Sequence, residues 1–143
     1  MIKFKSLNRS DAEKVIELYS QMRDTWFRLD QIRYFLETNP SSGAWSANHL
    51  VGFCYSDPIA PNILEIKNIY VDRNLQSSGI GRQLISIIES EATKLKYESL
   101  IAVNSLLYNT SIPLKDASHF YKKNGFNKIE QISQTRIFSK KIT

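Results

Sequence analysis

The segment Gln76-Ser77-Ser78-Gly79-Ile80-Gly81-Arg82 joins a strand pattern to a helix pattern through two glycines. Before it, Ile63 to Val71 is rich in β-branched and aromatic residues. After it, Leu84, Ile85, Ile88, Ala92 and Leu95 recur at helical spacing. A strand that turns through glycines into a helix leaves a row of free backbone N–H groups at the positive end of the helix dipole. That arrangement suits an anion, phosphate above all. Two familiar phosphate loops do not fit. A P-loop places Lys and then Ser or Thr after its last glycine, whereas Gly81 is followed by Arg82-Gln83. The dinucleotide fingerprint needs a third glycine or alanine where Leu84 stands, and a first-strand βαβ context that is missing here. A bare tight turn is the other reading of the glycine pair.

A second cluster, Ala117-Ser118-His119-Phe120-Tyr121-Lys122-Lys123-Asn124-Gly125-Phe126, lies downstream beyond an intervening strand pattern. Together the two segments resemble the GNAT family of N-acetyltransferases. Gln76-x-x-Gly79-x-Gly81 is similar to that family's acyl-CoA loop, and Ala117-x-x-Phe120-Tyr121-x-x-x-Gly125-Phe126 to its second motif. The resemblance spans essentially the whole chain. It implies an α+β fold: a mixed, largely antiparallel central sheet with helices on both faces and one splayed pair of parallel strands, Ile63–Val71 and Leu100–Asn104. It also implies one N-acetyltransferase domain over residues 1–143, with acetyl-CoA as co-substrate.

The resemblance assigns roles residue by residue. Backbone N–H groups of Ser77, Ser78, Gly79, Ile80, Gly81 and Arg82 hold the pyrophosphate, the glycines letting the chain approach without a Cβ in the way. Gln76 braces the loop or touches the cofactor. Arg82 is either a phosphate contact or an exposed first-turn residue. Backbone groups of Ile69, Tyr70 and Val71 align the pantetheine arm as an added strand would, and the Val71 N–H is the oxyanion donor. Asn104 either hydrogen-bonds pantetheine or caps a strand end. Phe120 belongs to the cofactor motif. Tyr121 is the general acid towards the CoA sulfur; a phenol of pKa about 10 suits a thiolate of comparable basicity, and packing on a short helix is its other reading. Glu65 matches a glutamate that some members use as base. Glu65, Lys67, Ile69 and Val71 alternate onto one face, so a Glu65–Lys67 salt bridge, with ordered water as base, stays open.

These residues need elements to hold them. Ile2 to Leu7 reads as a strand, and Ser10-Asp11-Ala12-Glu13 as a capping box opening a helix along Ala12, Val15, Leu18, Tyr19 and Met22. A second helix through Leu29, Ile32, Phe35 and Leu36 stops at Asn39-Pro40. Ser41-Ser42-Gly43 reads as a turn, Ala44–Ala47 and Leu50–Tyr55 as strands, and Asp57-Pro58 to Pro61-Asn62 as a loop. After the long helix come a buried strand over Ser99–Asn104, a loop over Ser105–Pro113, a helix over Lys115–Asn124 capped at Gly125, and strands over Phe126–Ile132 and Gln134–Ile142. The order β-α-α-β-β-β-α-β-α-β-β predicts an α+β or mixed sheet covered by helices on both faces.

With 143 residues, 42% of them apolar, the chain can build a core as one domain. The net charge of +5 suits an anionic partner or solubility alone. Its lysines are dispersed, which argues against nucleic acid. No apolar run reaches the length of a membrane span, and Met1-Ile2-Lys3-Phe4-Lys5 lacks a signal-peptide core, so a cytoplasmic protein is expected. One cysteine, Cys54, forbids an internal disulfide, and no Cys/His cluster points to a metal.

The acceptor is less legible. The resemblance places it among the first two helices and the closing strands, near Trp26, Phe27, Arg28, Asp30, Tyr34 and Trp45. These residues do not choose between a small amine, an amino acid, an antibiotic and a protein amine. Asn109 and the apolar 105–113 loop depart from the family pattern, since Leu114 and Lys115 stand where many members carry an asparagine. His119 points away from Tyr121 on a helix, and His49 falls in a turn. The chemistry expected is acetyl transfer to a primary amine by direct attack in a ternary complex, with a non-catalytic acyl-CoA-binding module on the same fold as the alternative. The closing strand suits a homodimer.

Overall fold

The computed structural model describes residues 1–21, 28–105 and 114–143. Seven strands form one sheet in the order β1-β2-β3-β4-β5-β7-β6. They are β1 (Ile2–Lys5), β2 (Ser41–Ser46), β3 (His49–Ala60), β4 (Ile63–Val71), β5 (Ser99–Ser105), β6 (Asn127–Ile132) and β7 (Thr135–Lys141). Only β4 and β5 run parallel; every other neighbour is antiparallel. The helices are α1 (Ala12–Tyr19), α2 (Leu29–Thr38), α3 (Ile80–Lys94) and α4 (Leu114–Lys123).

The sheet is covered on both faces, as the element order predicts. One face packs on α3 and α4: Leu64, Ile66, Leu100, Ala102 and Phe138 of the sheet meet Ile80, Leu84, Ile85, Ile88 and Ala92 of α3 and Ala117 and Tyr121 of α4. The α3 residues recur at helical spacing, and each fully buried one contributes about 1.5–3 kcal/mol. The other face packs on α1 and α2, where Val15, Leu18, Ile32 and Leu36 cover Phe53, Tyr55 and Tyr70.

Four local expectations change. The first helix is capped by Asn8, not Ser10: Asn8 Oδ1 accepts from the Ser10 N–H and Asp11 Oδ2 accepts from the Asn8 N–H, both at 2.9 Å, through a 3₁₀ turn over Arg9–Asp11. Glu13 turns instead to Arg33, 3.1 Å away. Ser41-Ser42-Gly43 is strand rather than turn, because all three pair with β3, Gly43 also pairs with Lys5 of β1, and Ser41 Oγ bonds the Leu7 backbone. Asp57-Pro58 also belongs to a strand. β3 runs on to Ala60 and tolerates Pro58, which has no N–H to give, at a register irregularity beside the hairpin end.

The fourth change bears on the site. Between β3 and β4 the pairing passes from Ser56↔Ile66 to Tyr55↔Asn68, so Lys67 is an extra residue, a β-bulge. The bulge breaks the alternation of β4. Ile66 and Ile69, three apart, both pack towards α3, while Tyr70 joins the α1–α2 cluster. Glu65 therefore does not share a face with Ile69 and Val71.

Candidate active site

The parallel pairing of β4 with β5 covers Ile63↔Ser99 to Ile66↔Ala102 and then stops, although β4 continues to Val71 and β5 to Ser105. The strands part directly after the bulge at Lys67. Along the parted stretch, main-chain groups of β4 on the β5 side have no strand partner among the described residues. Asp72 N–H donates to Val51 O of β3 at 2.8 Å. Backbone groups alternate in direction, so those of Val71 and Ile69 face the gap while those of Tyr70 face Phe53 of β3. The Val71 carbonyl already accepts from Gln76 Nε2 at 2.9 Å, which braces the start of the following loop against the strand.

Asn104 borders the gap from β5, two residues past the last parallel pair. Its Oδ1 is buried and has no hydrogen-bond partner among the described residues. An orphaned buried acceptor is costly unless something donates to it, and an amide N–H of a pantetheine arm is a donor of that kind. Among the described residues Asn104 Oδ1 therefore caps no backbone group. Its partner across the antiparallel pair is Arg136 of β7, whose Nη1 donates to Ser118 Oγ on α4. Sequence reasoning passed over Arg136; the alternation Arg136, Phe138, Lys140 could have flagged it, because Phe138 lies in the core and Lys140 reaches Glu89 of α3.

At the open end of the gap the loop Gln76–Gly79 enters α3. Gly79 is the N-cap at φ +87°, Ser77 is also left-handed at φ 67°, and no side chain caps the helix. The first N–H of this turn to find a backbone partner is that of Gln83, bonded to Gly79 O at 3.2 Å. Those of Ile80, Gly81 and Arg82 precede it and are the orphan donors an anion can use. The two glycines play different parts. A Cβ on Gly79 would meet nothing within 4 Å, so that position needs glycine for its backbone angle. A Cβ on Gly81 would lie 3.0 Å from Phe120 Cε1 and 3.2 Å from Cζ. Gly81 is therefore small to receive the Phe120 ring, and the two sequence motifs touch at this contact. Ser78 and Arg82 are exposed, as is Gln76.

Tyr121 lies one residue further along α4. Its ring stacks on Phe138 (5.0 Å between centroids) and meets Phe126 and Phe120 edge-on at 5.4 and 5.3 Å. Phe126 N–H donates to Tyr121 O and Gly125 N–H to Lys122 O, with Gly125 at φ +90°. The Gly125-Phe126 pair thus closes the helix and packs the tyrosine at once. Burial pushes the Tyr121 phenol well above its ordinary value, and the buried thiol of Cys54 on β3 adds to the effect. No hydrogen bond among the described residues holds the phenol hydroxyl. It stays protonated at neutral pH and can donate.

Glu65 sits within the paired part of β4, opposite Asp57, with Lys67 Nζ 3.6 Å from its Oε1. The salt bridge read from the sequence forms. Tyr55, sandwiched between Phe35 and Phe53, accepts from Asn68 Nδ2 at 3.4 Å on the same α1–α2 side. This side of the sheet offers an aromatic wall of Tyr19, Phe53, Tyr55 and Tyr70 next to the carboxylates of Glu65 and Asp57.

Of the acceptor residues expected, Trp45 is buried core on the far strands, held between Lys5 and Lys14 at 4.8 and 4.9 Å from the ring centre. It is too deep and too far from the splay to meet an acceptor. Arg28 and Asp30 pair with each other in the open at 3.0 Å, and Tyr34 is exposed. Met22, Trp26, Phe27 and residues 106–113, Asn109 among them, lie outside the described residues, and Ser105, expected in that loop, ends β5 instead. His119 is exposed on α4 and His49 on the β2–β3 turn. Among the described residues no group of His, Cys, Asp or Glu could hold a metal ion, and no helix is long and apolar enough to cross a membrane.

Known proteins were compared at the levels of family, sequence and fold. Residues 34–128 match the family model described as an acetyltransferase (GNAT) domain. No curated protein sequence matches. Among solved structures, the ribosomal-protein-S18-alanine N-acetyltransferase of Escherichia coli superimposes with a TM-score of 0.79 at 16% identity, covering 100% of this chain and 95% of that one. The protein yncA of Salmonella typhimurium, solved with its cofactor acetyl-CoA, gives 0.82 at 14% identity over the same shares of the two chains. The PaiA N-acetyltransferase of Thermoplasma acidophilum, in complex with coenzyme A, gives 0.74 at 20% identity and covers 99% of both chains. At these identities the structures speak for the fold, one sheet with a single parted parallel pair. Because the family model takes in both the parted strands and the two motifs that meet at Gly81 and Phe120, the chain belongs to the GNAT family of acetyltransferases.

Proposed function

We propose that the protein moves the acetyl group of acetyl-CoA to a primary amine of a small molecule or protein, by direct attack in a ternary complex. The observation that carries this reading is the contact of Phe120 with Gly81, which joins the anion loop to the helix bearing Tyr121. The pyrophosphate binds the N–H groups of Ser77 to Arg82. The pantetheine arm lies along Ile69 to Val71 and donates to Asn104. The neutral amine attacks the thioester carbon, the Val71 N–H stabilises the oxyanion, and Glu65 takes the amine proton through water.

Tyr121 serves the leaving sulfur. Its pKa is raised above the ordinary 10, while a free thiol titrates near 8.5. Complete proton transfer to the thiolate is then uphill by about 2 kcal/mol or more. The phenol thus acts first as a hydrogen-bond donor while the C–S bond breaks, and the proton crosses late. Glu65 then returns the amine proton to water and the phenolate takes one back from water, so CoA leaves as the thiol and the enzyme is unchanged.

The test is a panel of primary amines and amine-bearing peptides incubated with acetyl-CoA and read by mass spectrometry. Gain of one acetyl group on any of them, with release of free CoA thiol, is the expected result. Tight acetyl-CoA binding with no acetylated amine across the panel would favour the non-catalytic module instead.

A further inference from the structure

Lys67 is the bulged residue of β4 and the first residue past the last parallel pair, Ile66↔Ala102. It therefore stands where β4 and β5 part. Its Nζ lies 3.6 Å from Glu65 Oε1, an ion pair too long for a hydrogen bond and loose enough to exchange. Asp57, the neighbour of Glu65 across the ladder, is taken up by Asn39 Nδ2 at 3.3 Å. Two other lysines among the described residues meet carboxylates. Lys140 reaches Glu89 at 2.8 Å and also donates to Asn124 O, which fixes it between α3 and α4. Lys94 pairs with Glu91 near the C-terminal end of α3, also at 3.6 Å. It matches Lys67 in chemistry and differs in place, for it lies at the opposite end of α3 from the anion loop.

We propose that Lys67 is itself an acceptor, a modification site at which the protein acetylates its own Nζ in cis from bound acetyl-CoA. This rests on the acetyl-CoA reading above. In that reading the cofactor arm runs along Ile69 to Val71. Ile69 is two residues past Lys67, about 7 Å along a strand, a span that an extended lysine side chain covers. Acetyl transfer needs an amine, a group to take its proton and a thioester within reach. Lys67 brings the first, and the carboxylate beside it is the second. The ammonium gives a proton to Glu65, and the freed lone pair adds to the thioester carbon. The C–N bond forms and the C–S bond breaks. Two N–H protons leave the nitrogen in all. One ends in water by way of Glu65, and the other replaces, through water, the proton that Tyr121 gives the sulfur. CoA departs as the thiol. The amide left on Lys67 carries no charge, so Glu65 loses its ion-pair partner.

Lys94 is the internal control. Its side chain is 72% exposed against 43% for Lys67, so uncatalysed acetylation by the thioester favours Lys94. The full chain is incubated with acetyl-CoA and no other amine, and the acetyl group on each lysine is followed over time by tandem mass spectrometry. Lys67 is expected to gain its acetyl group about 10²-fold faster than Lys94, the lower range of acid–base catalysis. The rate constant at Lys67 should not change when the protein is diluted, as a reaction in cis requires. Excess CoA should suppress the reaction at Lys67 by occupying the same gap, and leave Lys94 untouched. In Glu65→Gln the advantage of Lys67 should disappear; should that variant fail to fold, competition by CoA decides. A rate at Lys67 no greater than at Lys94, a rate indifferent to CoA, a rate that falls on dilution, or an advantage kept in folded Glu65→Gln overturns the proposal. Calorimetry of acetyl-CoA binding to the same protein separates the two readings. Binding without preference for Lys67 removes the self-acetylation alone, whereas no binding removes the acetyl-CoA reading and the self-acetylation with it.

Discussion

At the scale of the residue, Tyr121 combines two properties that ordinarily oppose each other. Its ring is packed as tightly as any core aromatic, yet no bond among the described residues holds its hydroxyl. The ring's packing is shared with phenylalanine; the hydroxyl is not. Tyr121→Phe should therefore lower kcat by about 10²- to 10⁴-fold, the usual worth of a positioned general acid. The midpoint of thermal unfolding should move little, and so should the dissociation constant for acetyl-CoA by calorimetry. A variant that binds acetyl-CoA as before and turns over at an undiminished rate would remove Tyr121 from the chemistry. The two loop glycines separate in the same way. Gly79→Ala meets only the backbone cost of φ +87°, about 1–2 kcal/mol. Gly81→Ala drives a methyl against Phe120 at 3.0 Å, so it shifts the loop relative to α4. Acetyl-CoA affinity should weaken about tenfold or more in Gly81→Ala, worth about 1.4 kcal/mol. Equal affinities in Gly81→Ala and the unsubstituted protein would mean that the motif contact does not shape the cofactor site.

At the scale of the element, the bulge at Lys67 decides what β4 presents. Period-2 reading of Ile63 to Val71 found the strand and its two faces, but it carried the same parity from Glu65 through Val71. The extra residue left no mark in the composition, because Lys67 is half-exposed and any polar residue would serve there. Strand limits failed for a related reason: Ser41–Gly43 and Asp57-Pro58 carry turn residues, and only their pairing with a strand distant or separate in sequence makes them strand. Element order, the two-sided sheet and the pair of motifs were legible because each is local in sequence. Asn104 could be named from its place at a strand end, whereas Arg136 acts through a partner distant in sequence that no spacing rule reports. The bulge gives a prediction that side-chain contacts alone do not. Lys67→Ala removes one partly exposed ion pair and should change stability by less than about 1 kcal/mol. Deleting Lys67 removes only the extra residue: Ile66 then leads into Asn68 with regular alternation, and Ile69, Tyr70 and Val71 keep the faces they have. Urea denaturation should therefore show a loss under about 3 kcal/mol for the deletion, while acetyl-CoA affinity falls because no bulge bends β4 away from β5. A deletion variant that binds acetyl-CoA as tightly as the unsubstituted protein would mean that the bulge does not open the gap.

At the scale of the whole molecule, the groups that make the centre dry also set its response to pH. Cys54 and Tyr121 are buried on the α3–α4 side and Tyr55 on the α1–α2 side. Burial raises all three above their ordinary values. For Tyr55 the Asn68 hydrogen bond opposes the rise, and for Tyr121 the nearby thiol adds to it. A raised pKa in the folded state means that the folded protein keeps protons the unfolded chain gives up. Their contribution to stability is therefore intact below the unfolded values, about 9 for the thiol and 10 for the phenols, and is lost as pH rises beyond them. Each group then removes about 1.4 kcal/mol per pH unit, and three together about 4 kcal/mol per unit above pH 10. Against a total stability of about 5–15 kcal/mol, that slope unfolds the protein within a few pH units of alkaline titration. The contrast must come from variants. Tyr55→Phe with Tyr121→Phe should cut the slope by about half, because Cys54 and Tyr70, both also raised by burial, still ionise on unfolding. Urea unfolding at pH 8, 10 and 11 for the two proteins measures it directly. Parallel loss of stability in both would show that the phenols already ionise in the folded state, and that the gap beside Tyr121 is open to water rather than dry.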